Sequence, residues 1–110
     1  MTDEILQINE HQGKYSLTFY VEMSQVDDVI EDAEHDPNGH FWETLADYVV
    51  ESREIPGDFE FDSEADMMAI HGAKKDLETL RDEFLPYITS PRKMRGLLVE
   101  IDEEGLDLDE

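Results

Sequence analysis

The 110-residue sequence contains no cysteine. That single absence excludes disulfide bridges, thiolate metal sites and a cysteine nucleophile. Basic residues are scarce: eight Lys and Arg stand against thirty Asp and Glu, for a net charge of −22. Binding bare nucleic acid or an anionic membrane needs clustered Lys and Arg, so both are expected to be repelled. No apolar run approaches the roughly 20 residues that span a bilayer. The start, Met1-Thr2-Asp3-Glu4, is acidic where a secretory signal is basic and then apolar. These absences point to a soluble, cytoplasmic protein. A nucleophile elbow, a phosphate-binding glycine loop and a redox motif are missing too. No catalytic residue and no cofactor is expected.

What is present argues for a folded body. Hydrophobic residues make up 39% of the chain, too many for an acidic solvating segment, and they recur at strand and helix spacings. Ile5 to Glu10 reads as a short strand and His11-Gln12-Gly13 as a turn. Lys14 to Glu22 follows as a strand in which Tyr15, Leu17, Phe19 and Val21 alternate with Ser16, Thr18 and Tyr20. The pair should form a hairpin. From Ser24 the period changes: Val26, Val29, Ile30 and Ala33 share a helical face, with Ser24 as cap and Asp27 at the capping-box position. Asp36-Pro37-Asn38-Gly39 breaks that helix. A second helix runs from His40 to Arg53, with Phe41, Trp42, Leu45, Tyr48 and Val49 on its apolar side.

Two further strands are expected at Phe59 to Phe61 and Met67 to His71. A third helix runs through Leu77, Leu80, Phe84 and Ile88, with Pro86 near its end or kinking it. Ser90-Pro91 starts a fourth, through Met94, Leu97, Leu98 and Ile101. The order ββααββαα predicts an α+β fold: an antiparallel sheet of about four strands with helices on one face. The domain is expected over 1–102, with an acidic C-terminal tail over 103–110.

The charge is patterned. No acid occurs between Phe84 and Val99, and Arg92, Lys93 and Arg95 fall in that window. On the second helix Glu43, Asp47 and Glu51 stand four apart and so stack on one stripe. The preceding helix carries Asp28, Glu31 and Asp32 opposite its apolar side. Metal chemistry fits poorly. Glu34, Asp36, Asn38 and Gly39 resemble the opening of an EF-hand loop, but the twelfth position, where a bidentate Glu is needed, is Leu45. His11, His35, His40 and His71 lack the spacing of a zinc site. Asp62, Glu64 and Asp66 read as an acidic turn. No metal ligand is assigned.

Asn38-Gly39-His40-Phe41-Trp42, followed about twenty residues later by Phe61-Asp62-Ser63-Glu64-Ala65-Asp66-Met67, resembles the pattern of the Immunity protein 51 family. The similarity covers roughly Tyr15 to Asp102; His40 stands where an aromatic such as tyrosine is expected, and the acidic tail lies outside the pattern. The resemblance implies a small α+β protein of a bacterial polymorphic-toxin system that neutralises a cognate toxin by binding it, with no reaction performed. The charge agrees with such a role. A rigid acidic surface can occupy the basic cleft of a toxin and be steered into it by long-range attraction. The expected contact residues are Glu43, Asp47 and Glu51, with Asp28, Glu31 and Asp32. Trp42 and Tyr48 are the candidate aromatic anchors, provided they are exposed. For Trp42 the favoured reading is a core anchor covering the sheet. Three other readings compete: a DNA-mimic or general acidic interaction module, a domain whose acidity suits a saline cytoplasm, and, with least support, a small enzyme or metal protein. The oligomeric state is left open.

Overall fold

The computed structural model describes residues 5–105. Its nine elements occur in the order β1 (Gln7–His11), β2 (Lys14–Tyr20), a 3-10 turn (Val21–Met23), α1 (Asp27–Asp32), α2 (Gly39–Ser52), β3 (Glu60–Phe61), β4 (Met67–Gly72), α3 (Lys74–Thr89) and α4 (Pro91–Glu103). The four strands form one antiparallel sheet in the order β1-β2-β4-β3. The fold is therefore α+β in the expected ββααββαα order, and the differences lie at element ends.

The first hairpin turns on two residues rather than three. His11 pairs with Lys14, and Gln12 and Gly13 both adopt positive φ, 54° and 80°, which suits the right-handed twist of the flanking strands. Leu6, expected in β1, lies before it and is buried in the core with Ile5. β2 ends at Tyr20, where the Val21–Met23 turn begins. The start of α1 also moves. Ser24 Oγ accepts from Val26 N at 3.2 Å, a local turn of two residues, and the helix begins at Asp27 with no side-chain cap. Ser24 is thus not the cap the sequence suggested, because its hydroxyl is satisfied before the helix opens.

Alternation places the core. Leu17 and Phe19 of β2 stand opposite Ile70 and Met68 of β4, all four fully buried. Their neighbours Ser16, Thr18, Ala69 and His71 point to the other face, where Asn9 Nδ2 donates to Thr18 Oγ1 at 3.0 Å. α2 and α3 cover the apolar face, and α4 packs on α3 and α1. Trp42 fills the centre: its ring meets Phe19 at 4.9 Å, Phe84 at 6.0 Å and Phe41 at 6.1 Å between centroids, each edge to face. Such contacts add about 0.5–1.5 kcal/mol apiece beyond area burial.

Pro86 lies in the last turn of α3, and Ser90 N donates to its carbonyl at 3.0 Å. Ser90 then caps α4, with Pro91 at the first helical position. α4 runs through Glu103, one residue into the expected tail; positions 106–110 of that tail lie outside the described residues.

Candidate functional site

The start of α2 is built as a junction with the β3–β4 connection. Asn38 Oδ1 accepts from Phe41 N at 2.9 Å and caps the helix. Gly39 N donates to Ala65 O at 2.8 Å. A Cβ at Gly39 would lie 1.8 Å from Glu64 O and 2.6 Å from Met67 O, so only glycine lets the two backbones approach this closely. Glu43 Oε1 accepts from Ser63 N at 3.3 Å, and Ser63 Oγ accepts from Ala69 N at 3.1 Å. The two segments far apart in sequence, 38–42 and 61–67, are one piece of structure.

Beyond this junction the acidic stripe turns outward. Asp47 and Glu51 are exposed, whereas Glu43 is half-buried. Asp47 titrates above the ordinary carboxylate range: packing removes part of its hydration, and Glu51 and Glu43 repel its charge. Asp28, Glu31 and Asp32 on α1 are exposed as well. Among the described residues, none of the side chains of Asp28, Glu31, Asp32, Asp47 and Glu51 forms a hydrogen bond or ion pair. The two acidic groups sit on helices with different neighbours, α1 against α4 and α2 against β4 and α3. No hydrogen bond joins them.

The two aromatic candidates are spoken for inside the domain. Trp42 has no exposed surface, so its condition for acting as an anchor is not met; three phenylalanine rings enclose it because α2 turns that side of its first turn to the sheet. Tyr48 is half-buried, and its hydroxyl donates to Glu100 Oε2 at 2.5 Å. Arg53 Nη1 donates to the same oxygen at 2.8 Å, and Arg53 Nη2 to Glu100 Oε1 at 3.3 Å and to Tyr87 Oη at 2.9 Å. Together Tyr48, Arg53, Tyr87 and Glu100 clamp the end of α2 to α3 and α4. The bonds from Arg53 and then Tyr48 hold Glu100 below the ordinary glutamate range. The bond to Glu100, aided by lost hydration, pushes Tyr48 up to about 12. Arg53 is raised, chiefly by Glu100 and Tyr87. Sequence spacing could not reveal this cluster, since Glu100 lies 47 and 52 residues from its two main donors.

No group of three or more His, Asp or Glu among the described residues is arranged to hold a metal ion. No helix among them is long and apolar enough to cross a membrane. No charged side chain among them is buried, so the described acids stand at the protein–water boundary.

The sequence model of the family described as Immunity protein 51 matches residues 6–101. The chain belongs to the Immunity protein 51 family. No curated protein and no solved structure matches it. Membership assigns an immunity function, and the match spans every element from the edge of β1 to the last turns of α4. The two segments that carry the resemblance are those that meet at the Gly39 junction. Their residues cap a helix, admit a close backbone approach and fill the core.

Proposed function

We propose that this Immunity protein 51 member neutralises a cognate bacterial toxin of a polymorphic-toxin system by direct stoichiometric binding. The contact is the outward acidic face of α2, Asp47 and Glu51 with Glu43 at its edge, and the α1 acids Asp28, Glu31 and Asp32 extend it. The observation that carries this reading is uncompensated like charge. Asp47 lies four residues from both Glu43 and Glu51 with no ion pair to a cation among the described residues, an arrangement that costs the isolated domain stability. A basic cleft relieves that repulsion on binding, so the attraction is larger than for isolated acids, and the field of a −22 body accelerates encounter. The protein acts in the cytoplasm by occupying the toxin, with no reaction of its own and no cofactor. Tyr48 supports the face from within through its bond to Glu100.

Calorimetric titration against the cognate toxin at two salt concentrations tests this reading. The expected result is one-to-one binding that persists at moderate salt, with Asp47→Lys and Glu51→Lys together weakening it by roughly a hundredfold or more. Unchanged affinity in that double variant would remove the α2 face as the interface. Glu43 is best left in place, because its carboxylate also holds Ser63 N.

A further inference from the structure

α4 breaks three local rules on one stripe. Its first turn carries Arg92 and Lys93, followed by Arg95, and its end carries Asp102, Glu103 and Glu104. That places positive charge at the positive end of the helix dipole and negative charge at the negative end, the unfavourable order at both termini. Gly96 sits mid-helix, where glycine weakens a helix. A Cβ there would meet nothing within 4 Å, so no internal contact demands glycine. Val99 is 53% exposed, ahead of Tyr20 at 48% and Met23 at 42%. Arg92, Gly96, Val99 and Glu103 are spaced four, three and four apart and so lie on one line, opposite the buried Met94, Leu97, Leu98 and Ile101. None of Arg92, Lys93 and Arg95 forms an ion pair with a described residue.

We propose that this stripe is the contact between two copies of the chain, with their α4 helices packed antiparallel across a two-fold axis. A helix basic at one end and acidic at the other is self-complementary only when the second helix runs the opposite way. Centred between Leu97 and Leu98, the antiparallel register sets Arg92 against Glu103 of the second copy, while Lys93 and Asp102 add to the charge of the two ends from the flanks of the stripe. The same register sets Gly96 against Val99 of the second copy, so the exposed methyls fill the space the missing side chain leaves. The two helix dipoles then also run head to tail. Every feature that is unfavourable in the single domain becomes favourable in the pair, which is the pattern expected of an interface.

Two bodies of charge −22 repel, and the surface on which they meet must be the least acidic. The stretch from Leu85 to Leu98 contains no acid and includes the first half of α4. A single 13-residue helix on each side buries less than the roughly 1,200 Å² typical of stable complexes, so the dimer is weak and concentration-dependent.

Sedimentation velocity of the full chain, from micromolar to millimolar and at physiological salt, gives the first reading: a reversible shift from monomer to dimer. Charge exchange gives the decisive one. Arg92→Glu with Lys93→Glu makes α4 acidic at both ends, and Asp102→Lys with Glu103→Lys makes it basic at both ends. Both double variants correct the dipole mismatch at one terminus and should fold at least as well as the wild type. Each alone is expected to lose self-association by roughly tenfold or more, and an equimolar mixture of the two to form a heterodimer. A wild type and a mixture that both remain monomeric to millimolar concentration overturn the proposal. So does a monomeric wild type whose charge-exchanged variants lose affinity for the cognate toxin, which would make α4 part of the toxin contact.

Discussion

Two glycines in helices, Gly39 and Gly96, separate the inside of this molecule from its outside. Gly39 opens α2 where a Cβ would strike two carbonyl oxygens of the β3–β4 connection; the fold itself requires it. Gly96 lies in α4 with open space around it, and nothing in the domain requires it. The same contrast runs through the charges. Glu43 and Glu100 are tied into hydrogen bonds that hold elements together, whereas Asp47, Glu51 and the basic start of α4 have no partner among the described residues. Where residues obey local rules they build the domain, and where they break them no contact among the described residues accounts for them.

The sharpest way to break this comparison is Gly39→Ala. The methyl meets rigid backbone rather than a movable side chain, so a loss of about 3 kcal/mol or more is expected in urea denaturation. A variant as stable as the wild type would show that the junction is looser than its geometry implies. Next is the clamp. Glu100→Ala removes the shared acceptor of Tyr48 and Arg53; because 41% of the Glu100 side chain is exposed, solvent screening reduces the loss to about 1 kcal/mol.

The clamp also predicts a pH profile. Glu100 has a folded pKa below its unfolded one, so its contribution is present above the ordinary glutamate range and disappears as pH falls through the lowered value. Tyr48 is raised to about 12, so its contribution is present below the ordinary tyrosine range and is lost as pH rises from about 10 toward that value. Thermal unfolding followed by circular dichroism should show stability declining at both extremes, with the alkaline decline absent in Tyr48→Phe.

The outside gives the opposite sign. Gly96→Ala should stabilise the single domain by about 0.5–1 kcal/mol, since alanine is the better helix former and has room. Asp47→Asn should add about 0.2–0.5 kcal/mol for each like-charge neighbour it relieves, with the gain largest at neutral pH. The sign follows from the raised pKa: Asp47 costs the folded state stability once pH rises through its folded value, and the substitution removes that cost. A destabilised Gly96→Ala or Asp47→Asn would erase the distinction between the two regions.

Much of the fold was legible in the chain because its signals are local. The alternation of Leu17 and Phe19, the Asp36-to-Gly39 break before α2 and the Ser90-Pro91 start of α4 each act within a few residues, and the ββααββαα order follows from them. The ends were less legible. Ser24 looks like a helix cap, and only the backbone shows its hydroxyl already used by Val26. For the site, the stripe of Glu43, Asp47 and Glu51 was readable from a spacing of four. Trp42 as a core anchor was readable too, whereas the role of Tyr48 was not, since its hydroxyl meets a carboxylate 52 residues away.

Composition and periodicity by themselves determined an acidic α+β fold without thiol chemistry, and two short motifs carried the resemblance to its family. Tertiary structure alone decided that those motifs meet at Gly39, that Trp42 is enclosed and that Glu100 gathers Tyr48 and Arg53 from about fifty residues away. The physical reason is range. Propensity and patterning act over a turn or two of chain, whereas close backbone approach, ring enclosure and a shared carboxylate depend on segments that only folding brings together.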